Sequence, residues 1–234
     1  MPLKDEDHTT ARGLPLFRAM SDDSFAALMT GSFLQRFPAR LQLLSEGEPA
    51  DFLYVCMEGK VELYASANNR ESSMMIVEPI ATFILAAAVK DAVYLMSART
   101  LEPSRLLMIP SLNVRRVFGE DPEFSKAMAQ EFASRYRDLV KALKNQKLRT
   151  GVERLANYLL VHRHMEGSMA VVNLTIEKNV LASLLGMTAE NLSRAFATLR
   201  PYGVEVEGPR IRLTKLKDLQ NLAKPTTLID DRST

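Results

Sequence analysis

Glu190, Ser193 and Arg194 are the residues whose types and spacing most clearly predict a chemical task. At positions i, i+3 and i+4 of a helix, their side chains share one face. An arginine can donate two hydrogen bonds to guanine, a glutamate can accept one from cytosine N4, and a serine can contact a base or a phosphate. The trio therefore predicts recognition of DNA bases. The alternative is a Glu–Arg surface ion pair worth roughly 0.3 kcal/mol.

The residues before this trio predict a helix-turn-helix. One helix is expected to begin at Thr175 and to end at Gly186, which suits a left-handed C-terminal cap. Thr188 suits the N-cap of the next helix. Ala182 is small, as required where two helices cross closely. The predicted core of the motif is Val180, Leu181, Leu185, Leu192, Phe196 and Leu199. Motifs of this class place the start of their second helix in the major groove.

The segments around this motif predict the rest of a small α+β domain. Residues 152–164 predict a helix ended by Gly167, and residues 169–174 alternate as a strand. Residues 204–213 alternate around Gly208-Pro209, which predicts a hairpin wing. The candidate contacts to the DNA backbone are Thr188, Lys178, Arg200, Arg210 and Arg212. Each of the four cations among them could instead be an ordinary solvated charge.

The distribution of charge favours a polyanion as the partner of the second half of the chain. Residues 1–134 carry 13 Lys and Arg against 18 Asp and Glu, whereas residues 135–234 carry 17 against 10. An acidic half followed by a basic half suggests that only the second approaches nucleic acid. Two ordinary domains that differ by chance are the alternative.

Composition excludes several classes of protein. The single cysteine, Cys56, excludes an intrachain disulfide, a zinc site built on cysteines and an all-cysteine iron–sulfur cluster. The longest apolar run, residues 80–89, is too short to span a membrane. The acidic, polar N-terminus is untypical of a secretory signal. We therefore expect a cytoplasmic protein that has no membrane partner.

Residues 37–109 predict an antiparallel β-sandwich or barrel. Short apolar segments alternate there with turn signals such as Glu46-Gly-Glu-Pro49 and Asn68-Asn69. Within this region the alanine-rich residues 80–89 are more typical of a short buried helix. Before it, Ser21 predicts the N-cap of a helix that carries Phe25, Leu28 and Met29 on one face.

After Pro122 the apolar period changes to that of a helix, which runs without Gly or Pro to about Gln146. A single apolar seam on a long and otherwise polar helix favours a partner helix, and hence a homodimer. The predicted interface residues are Met128, Phe132, Tyr136, Leu139 and Leu143. The alternative is that this seam packs only on its own chain.

Taken together, residues 14–222 resemble the Crp/Fnr family of the cyclic-AMP receptor protein and the fumarate–nitrate reduction regulator. The stretch 44–64 resembles the barrel signature of the family, and Glu190, Ser193 and Arg194 match the Glu-x-x-Ser-Arg pattern of Fnr-type recognition helices. The resemblance implies an α+β chain with a cyclic-nucleotide-binding-type β-barrel (a jelly roll) in residues 1–121. It also implies a dimerisation helix in 122–147 and a winged helix-turn-helix in 148–234. The implied partners are double-stranded DNA with TTGA-like half-sites, a second copy of the chain, and RNA polymerase.

Departures from the family pattern argue against two known effectors. Cyclic-AMP binders carry Gly-Glu and Arg-Ser pairs, whereas this chain has Leu85-Ala86 and Tyr94-Leu95 near those positions. A cyclic phosphate would face an apolar wall, and burial of an unpaired anion is costly. The chain also lacks the cysteines of the iron–sulfur branch. Neither cyclic AMP nor an iron–sulfur cluster is therefore expected, and a cyclic-nucleotide-responsive regulator is kept only as an alternative.

An apolar effector pocket is predicted from the residues Met74, Phe83, Ile84, Leu85 and Met96. Such a pocket resembles that of nitrogen-oxide-responsive members, for which haem binding is implied. Haem iron needs an axial ligand. The weak candidates are His8, Cys56 and the amine of Pro2 exposed by removal of Met1.

Two other functions are open at this point. An enzyme has little support, since the chain lacks the common nucleotide-binding, hydrolase and metalloprotease motifs. A regulatory barrel that binds a partner protein, with an inactive basic half, is the other alternative. The leading hypothesis is a dimeric transcription regulator controlled by an effector at the barrel.

Overall fold

The computed structural model describes residues 5–231. The described residues group into two compact units, which divide between Ser134 and Arg135 inside the long helix α5 (Pro122–Leu148). The predicted order of helix, β-barrel, long helix and small α+β domain is confirmed. Among the described residues, no helix is both long and apolar enough to cross a membrane.

The first unit contains two antiparallel sheets of four strands each. One sheet has the order β1 (Phe33–Phe37), β8 (Ser104–Pro110), β3 (Phe52–Glu58), β6 (Ala81–Phe83). The other has the order β2 (Gln42–Leu44), β7 (Ser97–Thr100), β4 (Val61–Ala67), β5 (Arg70–Val77). Apolar side chains from both sheets form a common core, here called the barrel core, which includes Tyr54, Cys56, Leu63, Phe83, Ala98 and Leu106. The turn after β3 requires Gly59 (φ +85°), because a Cβ there would lie 2.7 Å from the Pro103 carbonyl oxygen.

Helices cover the outer face of the first sheet. They are α1 (Asp5–Arg12), α2 (Asp22–Met29), α3 (Leu85–Lys90), α4 (Ser111–Glu120) and the first turns of α5. Both faces of β3 are therefore buried, which explains why its sequence is continuously apolar. Ser21 caps α2 as predicted, since its hydroxyl accepts a hydrogen bond from Ser24 N at 3.1 Å. The predicted helix over 80–89 is shorter, because residues 81–83 pair with β3 as a strand.

The second unit is built on a four-stranded sheet and short helices. The sheet has the order β11 (Val204–Glu207), β12 (Arg210–Leu213), β10 (Met169–Asn173), β9 (His164–Glu166). The helices after α5 are α6 (Gly151–His162), α7 (Lys178–Leu184), α8 (Ala189–Leu199), α9 (Leu216–Ala223) and α10 (Thr227–Asp230).

Two helix boundaries in the second unit differ from the predictions. Helix α6 ends at His162 rather than at His164, because residues 164–166 pair with β10. Gly167 (φ +63°) forms the turn between these strands. Helix α7 begins after the N-cap Glu177, not at Thr175.

The apolar seam of α5 is divided between the chain's own core and the surface. Met128 is fully buried and Phe132 is partly buried in the core of the first unit. The prediction that Met128 contacts a partner subunit is therefore wrong, because its own protomer covers it. Tyr136, Leu139 and Leu143, in contrast, are 68%, 68% and 55% exposed. The first unit also extends beyond the expected boundary at residue 121, since the start of α5 belongs to its core.

Candidate nucleic-acid interface

The helix-turn-helix forms as predicted around Gly186. This residue takes a left-handed conformation (φ +64°) after α7, and Met187 N donates to the Ala182 carbonyl at 2.9 Å. Thr188 then caps α8, its hydroxyl accepting a hydrogen bond from Asn191 N at 3.2 Å. Leu181, Ala182, Leu185 and Leu192 are buried between the helices. A short turn is sufficient because the free backbone groups at the end of α7 and at the start of α8 find hydrogen-bond partners within the turn itself.

Helix α8 presents one buried face and one exposed face. Leu192, Ala195, Phe196 and Leu199 are buried in the core of the second unit. Glu190, Ser193 and Arg194 are all exposed, and they lie within the first turns of the helix. The structure therefore brings together the three side chains that the sequence singled out.

Glu190 is held as an anion at the start of α8. A hydrogen bond from the Thr188 side chain, with a smaller contribution from the charge of Arg194, lowers the pKa of its carboxyl group. Within residues 5–231, the side chains of Glu190 and Arg194 do not approach each other closely enough, within 4 Å, to form an ion pair. The guanidinium of Arg194 is therefore available to a ligand.

A cleft of about 380 Å³ adjoins the exposed face of α8. Lys178 at the start of α7, Ser193 on α8 and Arg200 after α8 all contribute to its lining, together with Asn179 and Val206. Two predicted phosphate contacts thus share one concave surface with a predicted base contact. Two cations, one at the start of α7 and one at the end of α8, provide an electrostatic environment that suits a phosphate.

The two wing arginines differ from the expectation of free cations. Arg210 pairs with Glu166, and Arg212 pairs with Glu207 and, at 3.2 Å, with Glu205. Hydrogen bonds from His164 and Arg210 lower the pKa of Glu166. Both arginines would have to exchange a carboxylate for a phosphate, so they are weaker candidates than Lys178 and Arg200.

The pairing of these glutamates with the wing arginines was not predicted from the sequence. The hairpin register alone places two of them, Glu205 and Glu207, opposite arginines. The short Gly208-Pro209 turn sets Glu207 opposite Arg210 and Glu205 opposite Arg212 in the hairpin register. Opposite charges at facing positions of an antiparallel pair attract each other. Glu166 could not be found in this way, because it lies two strands away from Arg210.

Three of the five residues predicted to line an effector pocket lie in the barrel core or against it. Phe83 is buried in the barrel core, and Ile84 and Met96 pack against that core. Leu85 lies instead in the helix-covered core on the other side of the first sheet. Met74 is 51% exposed, because it points away from the barrel core. Leu85 and Met74 therefore do not lie in the same core as the other three predicted residues.

In the described part of the first unit, no lysine or arginine side chain is buried where it could pair with a cyclic phosphate. Among the described residues of the first unit, the buried charged side chains are Asp7, Glu62 and Asp121, all of them acids. Glu62 is only 1% exposed and is already paired with Arg99 at 2.7 Å. The residues present do not fit a cyclic nucleotide phosphate, because an anion buried there would lack a partner.

Two of the three haem ligands suggested by the sequence, Cys56 and His8, fit poorly. Cys56 is buried in the barrel core, and burial raises the pKa of its thiol to about 11, so the thiolate that binds iron is disfavoured. His8 lies on α1, where its ring packs edge-on against Phe25 with centroids 6.3 Å apart. Pro2 lies outside the described residues. Within the described part of the chain, no group of three or more His, Cys, Asp or Glu could hold a metal ion.

A β-barrel followed by a long helix and a winged helix-turn-helix defines a class of DNA-binding regulators that carry their own effector domain. Residues 34–121 match the family model of the cyclic nucleotide-binding domain. Residues 153–222 match that of the Crp-like helix-turn-helix domain. The chain therefore belongs to the Crp/Fnr family of transcription regulators, and it is a regulator rather than an enzyme.

Individual relatives are distant in sequence. The chain is 24% identical over 215 residues to a "CRP-like cAMP-activated global transcriptional regulator" of Mycobacterium tuberculosis, covering 89% of this chain and 96% of the relative. FixK2 from Bradyrhizobium japonicum superposes with a TM-score of 0.71 at 20% identity, covering 83% of this chain and 98% of FixK2. A CooA variant from Carboxydothermus hydrogenoformans has a TM-score of 0.71 at 17% identity, covering 83% and 89%. The last two show the shared fold.

Proposed function

We propose that the protein is a homodimeric regulator that recognises a palindrome with TTGA-like half-sites through Glu190, Ser193 and Arg194. The observation that carries this proposal is the exposed face of α8, where all three side chains lie at the N-terminal end of the helix. Arg194 makes no ion pair with Glu190, so its guanidinium can donate both hydrogen bonds to a guanine. Glu190, held as an anion, can accept from a cytosine amino group.

Positioning on the DNA backbone falls to the residues that line the cleft. Lys178 and Arg200 contribute cations from opposite ends of the motif. The Thr188 hydroxyl already caps α8, so its contact with a phosphate would be additional to that role. Arg210 and Arg212 would contribute only after leaving their carboxylate partners. Such contacts set orientation and affinity without selecting a sequence.

The proposed dimer interface is the exposed part of the α5 seam. Tyr136, Leu139 and Leu143 recur at intervals of three and four, the spacing of a coiled-coil seam, and are at least half exposed in the single chain. Association with a second copy of the chain would bury this apolar part of the α5 seam. It would also present two copies of α8 to the two halves of a palindrome.

For the effector, we propose a ligand other than cyclic AMP that binds at the barrel. The proposal is supported by a barrel core made of apolar and aromatic side chains and by the lack of a buried cation among the described residues of its unit. Nitric oxide acting through haem is a second candidate, which requires a ligand other than the poorly suited Cys56 and His8. RNA polymerase is the proposed protein partner of the DNA-bound dimer.

The test is direct binding to DNA with and without candidate effectors. We expect tight, salt-dependent binding to a duplex with two TTGA half-sites and at least 1000-fold weaker binding to unrelated duplexes, an order of magnitude typical of specific regulators. Equal affinity for both duplexes would refute base recognition. Titration calorimetry with cyclic AMP, and an absorption spectrum of protein purified with haem supplied, test the effector separately. A cyclic AMP isotherm or a Soret band that responds to nitric oxide would decide between the candidates.

A further inference from the structure

The C-terminal segment Pro225–Asp231 is attached to the end of α5 by several contacts, although the Crp-like family model stops at residue 222. Lys141 on α5 donates to the Asp231 carbonyl at 2.7 Å, and Lys144 donates to the Leu228 carbonyl at 3.4 Å. We call this segment the clasp. Its contacts join two parts of the second unit that are far apart in the chain.

The strongest contact of the clasp is a two-point ion pair between Asp230 and Arg149. The two carboxylate oxygens of Asp230 accept from the two terminal nitrogens of Arg149 at 2.7 and 2.6 Å. The side chains are only 14% and 7% exposed. Burial opposes ionisation of Asp230, but hydrogen bonds from Arg149 and from Thr226 N lower the pKa of its carboxyl group. The pair is charged, shielded from water and fixed in geometry.

Arg149 lies at the corner between α5 and α6, and a second arginine connects this corner to the helix-turn-helix. Arg154 donates to the Arg149 carbonyl at 2.7 Å. The same guanidinium donates to the carbonyls of Leu185 at 2.7 Å and Gly186 at 3.3 Å. These two carbonyls end α7 and form the turn before α8. Burial lowers the pKa of Arg154, and its guanidinium donates to three backbone carbonyl oxygens at this corner.

The contacts therefore form a continuous connection from the clasp to the recognition helix. Asp230 holds the side chain of Arg149, the carbonyl of Arg149 holds Arg154, and Arg154 holds the turn at Leu185–Gly186. Loss of the Asp230 carboxylate would remove the anion that faces the buried Arg149 charge and leave the neutral Asn145 side-chain oxygen, at 3.1 Å, as its acceptor. A buried charge without a counter-charge is destabilising, so we expect the Arg149 side chain to turn toward water and the backbone that accepts from Arg154 to be held less firmly.

We propose that Asp230 is a positioning residue for DNA binding, which through Arg149 and Arg154 sets the orientation of α8 relative to α5. The inference rests on the proposed function, because orientation matters when two copies of α8 must match two half-sites. It assigns a role to a segment that lies beyond the matched family domain. Asp230 itself need not touch DNA.

The first experiment measures amide hydrogen exchange in the free protein, which requires no DNA. We compare the wild type with D230N and with D218N, a matched control on exposed Asp218 of α9. In D230N, faster exchange should be confined to residues 185–191 and the clasp, whereas D218N should match the wild type. Unchanged exchange at 185–191 in D230N would overturn the proposal, as would a uniform increase across the whole unit, which indicates a general loss of stability.

The second experiment measures affinity for palindromes in which the spacing between half-sites is varied by single base pairs. D230N should bind the best spacing about 3- to 30-fold more weakly, a range typical of residues that act through a contact network, and should discriminate less between spacings. The charge-reversed pair R149D/D230R should recover discrimination. The proposal is wrong if D230N keeps the wild-type spacing profile, or if the reversed pair folds and shows no recovery.

The two experiments separate the two proposals. Failure of the wild type to bind any palindrome would refute the proposed function, while the exchange pattern would still decide whether the clasp fixes the turn. If D230N does not fold, a chain truncated after Lys224 replaces it: faster exchange is then expected at residues 185–191, together with weaker discrimination between spacings, and wild-type behaviour in either measurement would overturn the proposal.

Discussion

Replacement of Arg194 by alanine should abolish recognition of one base in each half-site without affecting the fold. The side chain is exposed on α8 and forms no ion pair with Glu190, so its loss removes no folded-state contact of that kind. Alanine is also a good helix former. We therefore expect the free energy of unfolding to change by less than about 0.5 kcal/mol.

The effect on DNA binding should be much larger than the effect on stability. A bidentate arginine–guanine contact contributes about 1–3 kcal/mol of discrimination against other bases. Two half-sites in a dimer double this to about 2–6 kcal/mol if the sites are independent. At the lower limit, affinity for the palindrome should fall about 30-fold. The variant should also tolerate any base at the position that Arg194 recognises.

The assay is fluorescence anisotropy at constant salt with palindromes in which each base of the half-site is changed in turn. Arg70→Ala is the matched control, because it removes an exposed arginine of the first unit. Arg200→Ala is the contrasting variant: it should weaken binding to all sequences alike and reduce the salt dependence. Full discrimination by the Arg194 variant at every position would refute the assignment of base recognition.

Three further changes test other parts of the structure. Leu139→Glu should convert the protein to a monomer, seen by analytical ultracentrifugation, while the unfolding free energy of each chain changes little, because Leu139 is 68% exposed before association. Thr188→Ala should cost about 1 kcal/mol of stability in urea denaturation, because the cap of α8 is lost. With Glu153→Gln, the free energy of unfolding should decrease less than in the wild type as the pH is lowered. Hydrogen bonds from the Thr150 backbone and side chain lower the pKa of Glu153 in the folded state. Its contribution is therefore complete above its unfolded pKa, about 4.3, and is lost as pH falls through the lower folded value.

Each of these expectations has a clear contrary result. A Leu139→Glu variant that stays dimeric would place the interface elsewhere on the chain. Unchanged stability of Thr188→Ala would mean that water replaces the cap. Identical acid denaturation curves for wild type and Glu153→Gln would show that the hydrogen bonds between Thr150 and Glu153 do not make the stability of the protein depend on pH.

Local sequence patterns determined the DNA-binding motif almost completely. Gly186 must end one helix because its conformation is left-handed, and Thr188 must begin the next because its hydroxyl satisfies a free backbone amide. The spacing of Glu190, Ser193 and Arg194 then places them on the face opposite the buried Leu192. All of these features depend on residues within one helical turn of each other, so the sequence contains them directly.

Tertiary structure alone decided which of these groups face solvent and which are already paired. The seam of α5 is uniform in sequence, yet Met128 is buried in its own unit and Leu139 is exposed. Arg210 is a typical phosphate contact by type, but the fold brings Glu166 to it from two strands away. Arg149 and Asp230 are 81 residues apart in the chain. Such pairs depend on how distant elements pack, and periodicity reports only the face of a helix or strand, not what covers it.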